Sequence, residues 1–269
     1  MEPIVHTFEN GVRVFEDQLL EEQRARYRKR NVHEADEEEI FVRLIRSLPP
    51  DGCFVDVGAA IGYYLILARK LSPGLTIHGV EPLARHRRFL ADNMRLNELA
   101  EDDFTIHCEG LTSADGEETF HDRGYSSRLD DAKGERKLHF SARWKRLLQG
   151  LGLRKSMDVT LRVSTITLDT LVRRIGRPID LLQMDVQGLE VEVLKGAEAS
   201  LQAGTVKTFL IGTHGRARGL TMHEDCRRLL TSHGYLIDVD NPAPSDQPDG
   251  ILVATKQALN TDDSIALSR

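Results

Sequence analysis

The sequence predicts an α/β protein with a mostly parallel central sheet and helices on both of its faces. Short apolar runs at residues 54–57, 75–80 and 179–184 are typical of buried parallel strands. Segments with apolar residues at helical spacing alternate with these runs. The 269 residues, 40% apolar and 29% charged, suit one large globular domain.

The first strand leads into a turn with the spacing D-x-G-x-x-x-G, from Asp56 through Gly58 to Gly62. A dinucleotide-binding turn would read G-x-G-x-x-G, but Ala60 and Tyr63 stand where its second and third glycines would fall. The spacing is instead that of the S-adenosylmethionine (SAM) methyltransferases. Gly58 allows a tight turn and a close approach of ligand to backbone, and the following helix presents its first amides to the ligand.

A second acid supports the same cofactor. Glu81 ends the next predicted strand, nineteen residues after Gly62, where a carboxylate can accept hydrogen bonds from both ribose hydroxyls of an adenosine. We therefore predict SAM as the cofactor and S-adenosylhomocysteine as its product. The candidate cofactor-binding residues are Asp56, Gly58, Ala59, Ala60, Ile61, Gly62, Tyr63, Glu81, Pro82, Gly110, Leu111 and Asp185.

The remaining elements follow in chain order. Asn10 and Gly11 predict a hairpin within residues 4–15. A helix over residues 34–48 begins with acids and is stopped by Pro49 and Pro50. Other helices are predicted at residues 18–30, 63–70, 82–99, 188–201 and 222–233, and other strands at residues 104–109, 206–211, 235–239 and 250–255.

This order divides the chain into three parts. Residues 1–50 are expected to cap the site, residues 51–256 to form the SAM-binding domain, and residues 257–269 to be a polar tail. Residues 112–178 are an insertion between the third and fourth strands, rich in Lys and Arg between residues 133 and 162. Two interpretations stay open for that stretch: a solvated basic lid, or a wall that recognises an anionic acceptor.

Composition excludes several functional classes. The net charge of −6 gives no bias toward nucleic acid or an anionic membrane. No apolar run approaches the length of a membrane span, and no signal peptide is apparent. Three scattered cysteines without a C-x-x-C motif are typical of a reduced compartment. We expect a cytoplasmic protein, for which a homodimer is one option.

Three motifs together resemble the FkbM-type SAM-dependent methyltransferases. They are DVGAAIGYY from Asp56, the pair Glu81-Pro82, and DVQG from Asp185 with LKGA from Leu194; the resemblance covers about residues 8–254. It implies a Rossmann-like class I methyltransferase fold with seven strands, the last of them antiparallel. It also implies a methyltransferase that mostly O-methylates small molecules or sugars, and it carries over Asp56, Gly58, Glu81 and Asp185 as site positions.

The sequence departs from the family pattern at three positions. Ala60 and Gln187 stand where the family usually has Asn and Glu, and Gly212 replaces the Glu of the usual E-x-H that ends in His214. These changes remove a polar contact near the cofactor and two carboxylates from the rim of the site. The inherited acceptor chemistry is therefore left open.

Asp185 and His214 are the candidate catalytic residues, because they end adjacent predicted strands at the edge where such sheets bind ligands. A histidine with an ordinary pKa near 6.5 can act as the base at neutral pH, and Asp185 can orient it or the acceptor. The simpler alternatives are a loop histidine and a helix N-cap. An Asp and a His can also share a divalent metal, but the sequence offers no clear third ligand, so we predict none.

The acceptor is the least determined part of the prediction. Weaker candidates for acceptor contact are Tyr125, Ser126, Arg128 and Gln187. The leading hypothesis is O-methylation of a hydroxyl on a small molecule or sugar, which can be anionic. One alternative is a nucleic-acid methyltransferase that tracks phosphates with the basic insertion; the other is a SAM-binding module without turnover.

Overall fold

The computed structural model describes residues 3–122, 128–129, 159–214, 219–244, 247 and 249–256. The strands are β1 (Val5–Thr7), β2 (Arg13–Phe15), β3 (Cys53–Val57), β4 (Thr76–Val80), β5 (Thr105–His107), β6 (Gly110–Leu111), β7 (Gly116–Asp122), β8 (Arg128–Leu129), β9 (Val159–Ile166), β10 (Ile179–Met184), β11 (Val206–Thr213), β12 (Leu236–Asn241) and β13 (Gly250–Thr255). The α-helices are α1 (Glu21–Tyr27), α2 (Ala35–Ser47), α3 (Tyr63–Leu71), α4 (Ala84–Leu96), α5 (Leu168–Ile175), α6 (Glu190–Lys195), α7 (Glu198–Ala203) and α8 (Gly219–Ser232).

Seven strands form the central sheet, in the order β12-β13-β11-β10-β3-β4-β5. Strands β5, β4, β3, β10 and β11 are mutually parallel, whereas β13 runs antiparallel to both of its neighbours. The prediction of a seven-stranded, mostly parallel sheet with an antiparallel last strand is confirmed. The chain reverses its direction of travel across the sheet between β3 and β10, and ligands bind at such a switch point in open α/β sheets.

The sheet is buried on both faces because helices cover each of them. Every residue of β3 and of β10 is buried, which explains why these strands read as apolar runs. One face packs against α2, α3 and α4, with Phe41, Leu65 and Leu90 in one core cluster. The other face packs against α5 to α8, with Leu171 and Leu230 in a second cluster.

A buried amide on α4 helps to fix the N-terminal segment against the rest of the fold. The predicted hairpin is confirmed, with β1 and β2 pairing antiparallel. The fully buried side chain of Asn93 on α4 accepts a hydrogen bond from Phe15 N at 3.2 Å and donates to Gln18 Oε1 at 2.8 Å and to Ile61 O at 3.0 Å. It therefore joins the N-terminal segment to the turn after β3.

Two regions differ from the sequence prediction in detail. The described part of the insertion, together with β6 just before it, forms a second sheet in the order β6-β9-β7-β8, and α5 follows. The single helix predicted over residues 188–201 is two helices, α6 and α7, that meet at Gly196. A Cβ at Gly196 would lie 2.3 Å from Thr112 O, so the backbone of the insertion packs against the junction. Most of the basic stretch at residues 133–162 lies outside the described residues.

Among the helices of the described residues, none combines the length and the apolar character that a membrane span requires.

Candidate active site

A cavity opens where β3, β4 and β10 end, beneath the N-terminal segment. Eleven of the twelve candidate cofactor-binding residues line it. The exception is Gly62, at which a Cβ would lie 2.9 Å from Leu90 Cγ, so this glycine faces the core cluster behind the turn. The lining also includes Gln23, His33, Glu34, Tyr64, Leu83, His86, Val163, Gln183, Gln187 and Asp249, among others.

The turn after β3 depends on the glycine at its start. Gly58 has a φ of +93°, and a Cβ built on it would lie 2.1 Å from Asp185 O. Its own N–H donates to Val80 O at 3.0 Å. The turn therefore passes between the ends of the neighbouring strands, where a side chain on Gly58 has no room.

Glu81 is held in place by backbone amides of both neighbouring segments. One carboxylate oxygen accepts from Ala60 N at 3.0 Å and the other from Leu83 N at 2.8 Å, and the residue is only 4% exposed. A carboxylate offers about four lone-pair positions. Oε2 therefore keeps one for a ligand, while Oε1 also faces His86 Nδ1 at 3.5 Å. Glu81 is thus oriented toward the cavity with accepting capacity to spare.

Asp56, at the same end of the cavity, is a buried acid for which the described residues supply no counter-ion. Burial raises the pKa of its carboxyl group, and the nearby charges of Asp185, Glu37 and Glu81 raise it further. A positively charged ligand would relieve this repulsion, because an opposite charge favours the ionised form of a carboxyl group.

His214 lies among three carboxylates. Its Nδ1 is 2.9 Å from Glu190 Oε1, while its Nε2 is 3.2 Å from Asp185 Oδ1 and 3.4 Å from Asp249 Oδ2. Burial alone lowers the pKa of the ring, but Asp185, Glu190 and Asp249 outweigh it and raise the pKa to about 10. The three carboxylates therefore favour the imidazolium form of the ring, in which both N–H groups donate.

This charge state changes the role expected of His214. In the imidazolium form the ring has no position for a further proton, so Asp185 becomes a second candidate for the base, and the role of His214 as the base stays a prediction. Gln187 Nε2 lies 2.7 Å from His214 Nε2 and 3.0 Å from Asp185 Oδ1, an arrangement that suits the neutral ring. The imidazolium form would instead require the amide to turn its oxygen toward His214. Asp185 is not a helix N-cap either, because the residue at that position of α6 is Leu189.

Glu37 is a site residue that the sequence analysis missed. It projects from the first turn of α2, is 2% exposed, and accepts a hydrogen bond from Gln183 Nε2 at 2.8 Å. Its Oε2 lies 3.5 Å from the place where a Cβ on Gly212 would stand. The space beside Gly212, where the family usually has Glu, thus borders the Glu37 carboxylate. Burial and the charge of Asp185 raise the pKa of Glu37 to about 7.

The N-terminal segment and the loop before β13 supply the other missed residues. Gln23, His33 and Glu34 reach the cavity from the first of these, and Asp249 from the second. The His33 ring is neutral, because burial and Arg26 lower its pKa to about 3. The only sequence signal for this group was the expectation that residues 1–50 cap the site, which names no side chain.

The structure describes the side chain of only one of the four weaker acceptor candidates. Gln187 lines the cavity and its Nε2 donates to Asp185 Oδ1 at 3.0 Å. Tyr125 and Ser126 lie outside the described residues. Arg128 begins β8, whose backbone pairs with β7 in the second sheet, and only its backbone position is described. Contact of these three with an acceptor stays a prediction.

Ala60 gives a testable consequence of the turn geometry. Its φ is +44°, a conformation that costs an alanine about 1–2 kcal/mol and that Asn tolerates better. We expect Ala60→Asn to raise the free energy of unfolding by about 1 kcal/mol and the Tm by about 2–4 °C, measured by thermal and denaturant unfolding. Ala60→Ser is the control, since serine adds polarity without the backbone preference. An equal gain in both variants would contradict this explanation.

The chain is similar to known methyltransferases. The family model described as "Methyltransferase FkbM domain" matches residues 56–237. The chain is 30% identical over 236 residues to "AMB antimetabolite synthetase AmbE" of Pseudomonas aeruginosa, covering 77% of this chain and 11% of that protein. It is 30% identical over 167 residues to "Methyltransferase sdnD" of Sordaria araneosa, covering 57% of this chain and 63% of that protein.

A solved structure shares the fold. The crystal structure of methyltransferase FkbM from Methylobacillus flagellatus KT superposes with a TM-score of 0.50 at 15% identity, covering 77% of this chain and 44% of that one. The chain spans between 11% and 63% of the length of the curated relatives it matches. The family model covers more than half of the chain, and the resemblance found in the sequence is confirmed: this chain belongs to the FkbM methyltransferase family.

Proposed function

We propose that the protein is a SAM-dependent methyltransferase that methylates a hydroxyl group of a small molecule or sugar. The observation that carries the proposal is one cavity in which the Gly58 turn and Glu81 adjoin the acids around His214. The family to which the chain belongs and the names of its relatives support the reaction class. They do not specify the acceptor, so the chemistry of the acceptor is inferred from the residues that line the cavity.

The residues present fit SAM in three respects. Gly58 lines the cavity with bare backbone, in a turn whose close packing against Asp185 O leaves no room for a Cβ. The amide oxygen of Gln183, a lining residue only 1% exposed, has no hydrogen-bond partner among the described residues and accepts only. The acids Asp56 and Asp185 suit a ligand with a sulfonium and an ammonium group. Glu81 would hold the ribose hydroxyls, and the turn amides would face the amino-acid portion.

The transfer itself needs alignment and a proton acceptor. When bound, SAM supplies a methyl group on a sulfonium sulfur, so that attack by the acceptor oxygen forms a C–O bond while the C–S bond breaks and leaves its electron pair on sulfur. The protein aligns the two groups. Asp185, with its side chain 36% exposed, is the most accessible of the three carboxylates around His214 and takes the hydroxyl proton. His214 acts as a positioning residue that orients Asp185 by the contact at 3.2 Å.

The two alternative functions find less support in the cavity. A phosphate-tracking nucleic-acid enzyme needs basic side chains near the reacting atoms, but none of the described lining residues is Lys or Arg. A module without turnover was suggested by the missing rim carboxylates. Glu37 places a carboxylate beside one of those positions, which weakens that suggestion.

A calorimetric titration with SAM tests the proposal. Glu81→Gln removes one charged acceptor from the cofactor site while keeping the size of the side chain, so we expect SAM to bind about 10–100-fold more weakly than to the wild type. Glu117→Gln, at an exposed acid of β7 that pairs with Arg162 at 3.6 Å, is the matched control and should leave the affinity unchanged. The proposal fails if the wild type does not bind SAM, or if Glu81→Gln binds it equally well.

A further inference from the structure

The charge of the cavity is one-sided. Five carboxylates line it, and the described part of its lining contains no Lys or Arg. The acids are Glu34, Asp56, Glu81, Asp185 and Asp249. An excess of buried carboxylates is costly unless cations offset it or the acids bind protons. The raised pKa values of Asp56 and Glu34 reflect this cost, and a positively charged ligand would relieve it.

The acids fall into two groups that meet at Asp185. Asp56 and Glu81 lie at the end of β3 and β4, which we assign to the cofactor; their charges act on each other and raise the pKa of Asp56. Glu34 and Asp249 form the other group. The pKa of Glu34 is raised by burial and by the charges of Glu37, Asp185 and Asp249. This second group, with Asp185, is called the acceptor end.

The cations at the acceptor end are too few for its acids. Arg26 lies 3.5 Å from Glu34, and the ring nitrogens of His214 lie within 3.4 Å of Asp185, Glu190 and Asp249. His33 adds no charge, because its pKa is about 3. Five carboxyl groups, those of Glu34, Glu37, Asp185, Glu190 and Asp249, therefore share two cations within the described residues. Bound SAM adds one net positive charge, which still leaves the acids in excess.

An unpartnered polar atom points to a ligand independently of the charge. Tyr64 lines the cavity, is 7% exposed, and its hydroxyl has no hydrogen-bond partner among the described residues. The hydroxyl lies close enough to Glu37 and Glu34 for their charges to raise its pKa. Buried polar groups are otherwise paired, so this hydroxyl is available to a ligand bound at this end.

We infer that the acceptor carries a protonated amine, which binds at the acceptor end between Glu34 and Asp249 with the Tyr64 hydroxyl as an additional partner. The inference rests on the proposed function, because it concerns the molecule that receives the methyl group. It disfavours the anionic acceptor considered from the sequence. An ammonium group donates up to three hydrogen bonds and accepts none, which matches carboxylates and an unpartnered hydroxyl oxygen.

The test screens protein saturated with S-adenosylhomocysteine against a fragment library of matched triples. Each triple consists of three compounds built on one scaffold: one with a primary amine, one with the N-acetyl form of that amine, and one with a carboxylate. D-glucosamine, N-acetyl-D-glucosamine and D-glucuronate form one such triple. Binding is read by ligand-observed NMR and ranked by calorimetry. We expect amines to bind about tenfold more tightly than their N-acetyl partners, and carboxylates to be absent from the hits.

The double variant Glu34→Gln, Asp249→Asn shows where the preference arises. It should lose the preference for amines while its affinity for S-adenosylhomocysteine stays within about twofold of the wild type. Hits spread evenly over the three classes, a preponderance of carboxylates, or an absence of amine hits would each overturn the inference. Failure of the wild type to bind S-adenosylhomocysteine would instead count against the proposed function, so the two failures are distinguishable.

Discussion

Gly58→Ala is expected to abolish measurable SAM binding and to lower the free energy of unfolding by more than about 3 kcal/mol. The methyl group would stand 2.1 Å from Asp185 O, a backbone atom that cannot move without shifting the end of β10. The φ of +93° adds strain of its own. Calorimetry with SAM and urea unfolding followed by circular dichroism measure the two effects.

Gly176→Ala separates the collision from the strain. Gly176 has a φ of +72° at the C-terminus of α5, and no described atom lies within 4 Å of a Cβ built there. This control should therefore lose only about 1–2 kcal/mol and bind SAM as the wild type does. If the two variants lost equal stability, the close approach of Gly58 to Asp185 would not be what specifies glycine at this turn.

The central sheet and the cofactor turn could be predicted from sequence because their signals are local. β3 and β10 are buried on both faces and read as apolar runs. The turn could be recognised from a few adjacent residues, because the left-handed backbone conformation at its start favours glycine, and Gly58 stands there. Neither prediction requires knowledge of the residues that pack around these segments.

The charges of the acceptor end could not be predicted in the same way. Glu34 and Asp249 are more than 200 positions apart in the chain, and only the fold brings both to Asp185. The protonation of His214 depends on Glu190, which lies 24 residues away in the chain. A pKa depends on burial and on neighbouring charges, and neither can be read from the residues beside His214. The break between α6 and α7 is similar, because it reflects packing against Thr112.

Gly212 illustrates why a departure from a family pattern must be judged in three dimensions. Read along the chain, the glycine removes a carboxylate next to His214. In the fold, Glu37 approaches that space from α2 and is held by Gln183, and the amide oxygen of Gln247 also accepts a hydrogen bond from Glu37 N at 3.1 Å. The carboxylate at this part of the site therefore comes from a helix that sequence analysis assigned only to a cap.

Asp185→Asn is expected to reduce kcat by about 10²–10⁴-fold, the range that a positioned proton acceptor contributes. SAM affinity should change by less than about tenfold, because Glu81 and the Gly58 turn remain. Asp185 is the strongest of the charges that raise the pKa of His214, so the variant should also lower that pKa from about 10. Formation of S-adenosylhomocysteine with an acceptor found by screening measures the first effect.

An NMR titration of the His214 ring measures the second effect without any acceptor. The direction follows from the charges: with Asp185 neutral, the imidazolium loses its nearest negative partner at Nε2 and gives up its proton at lower pH. Asp225→Asn is the control, since Asp225 is an exposed acid that pairs with Arg228 on α8. It should change neither kcat nor the titration of His214. If Asp185→Asn lowered the pKa of His214 but kept full turnover, Asp185 would not be the group that accepts the hydroxyl proton, and another group would have to accept it.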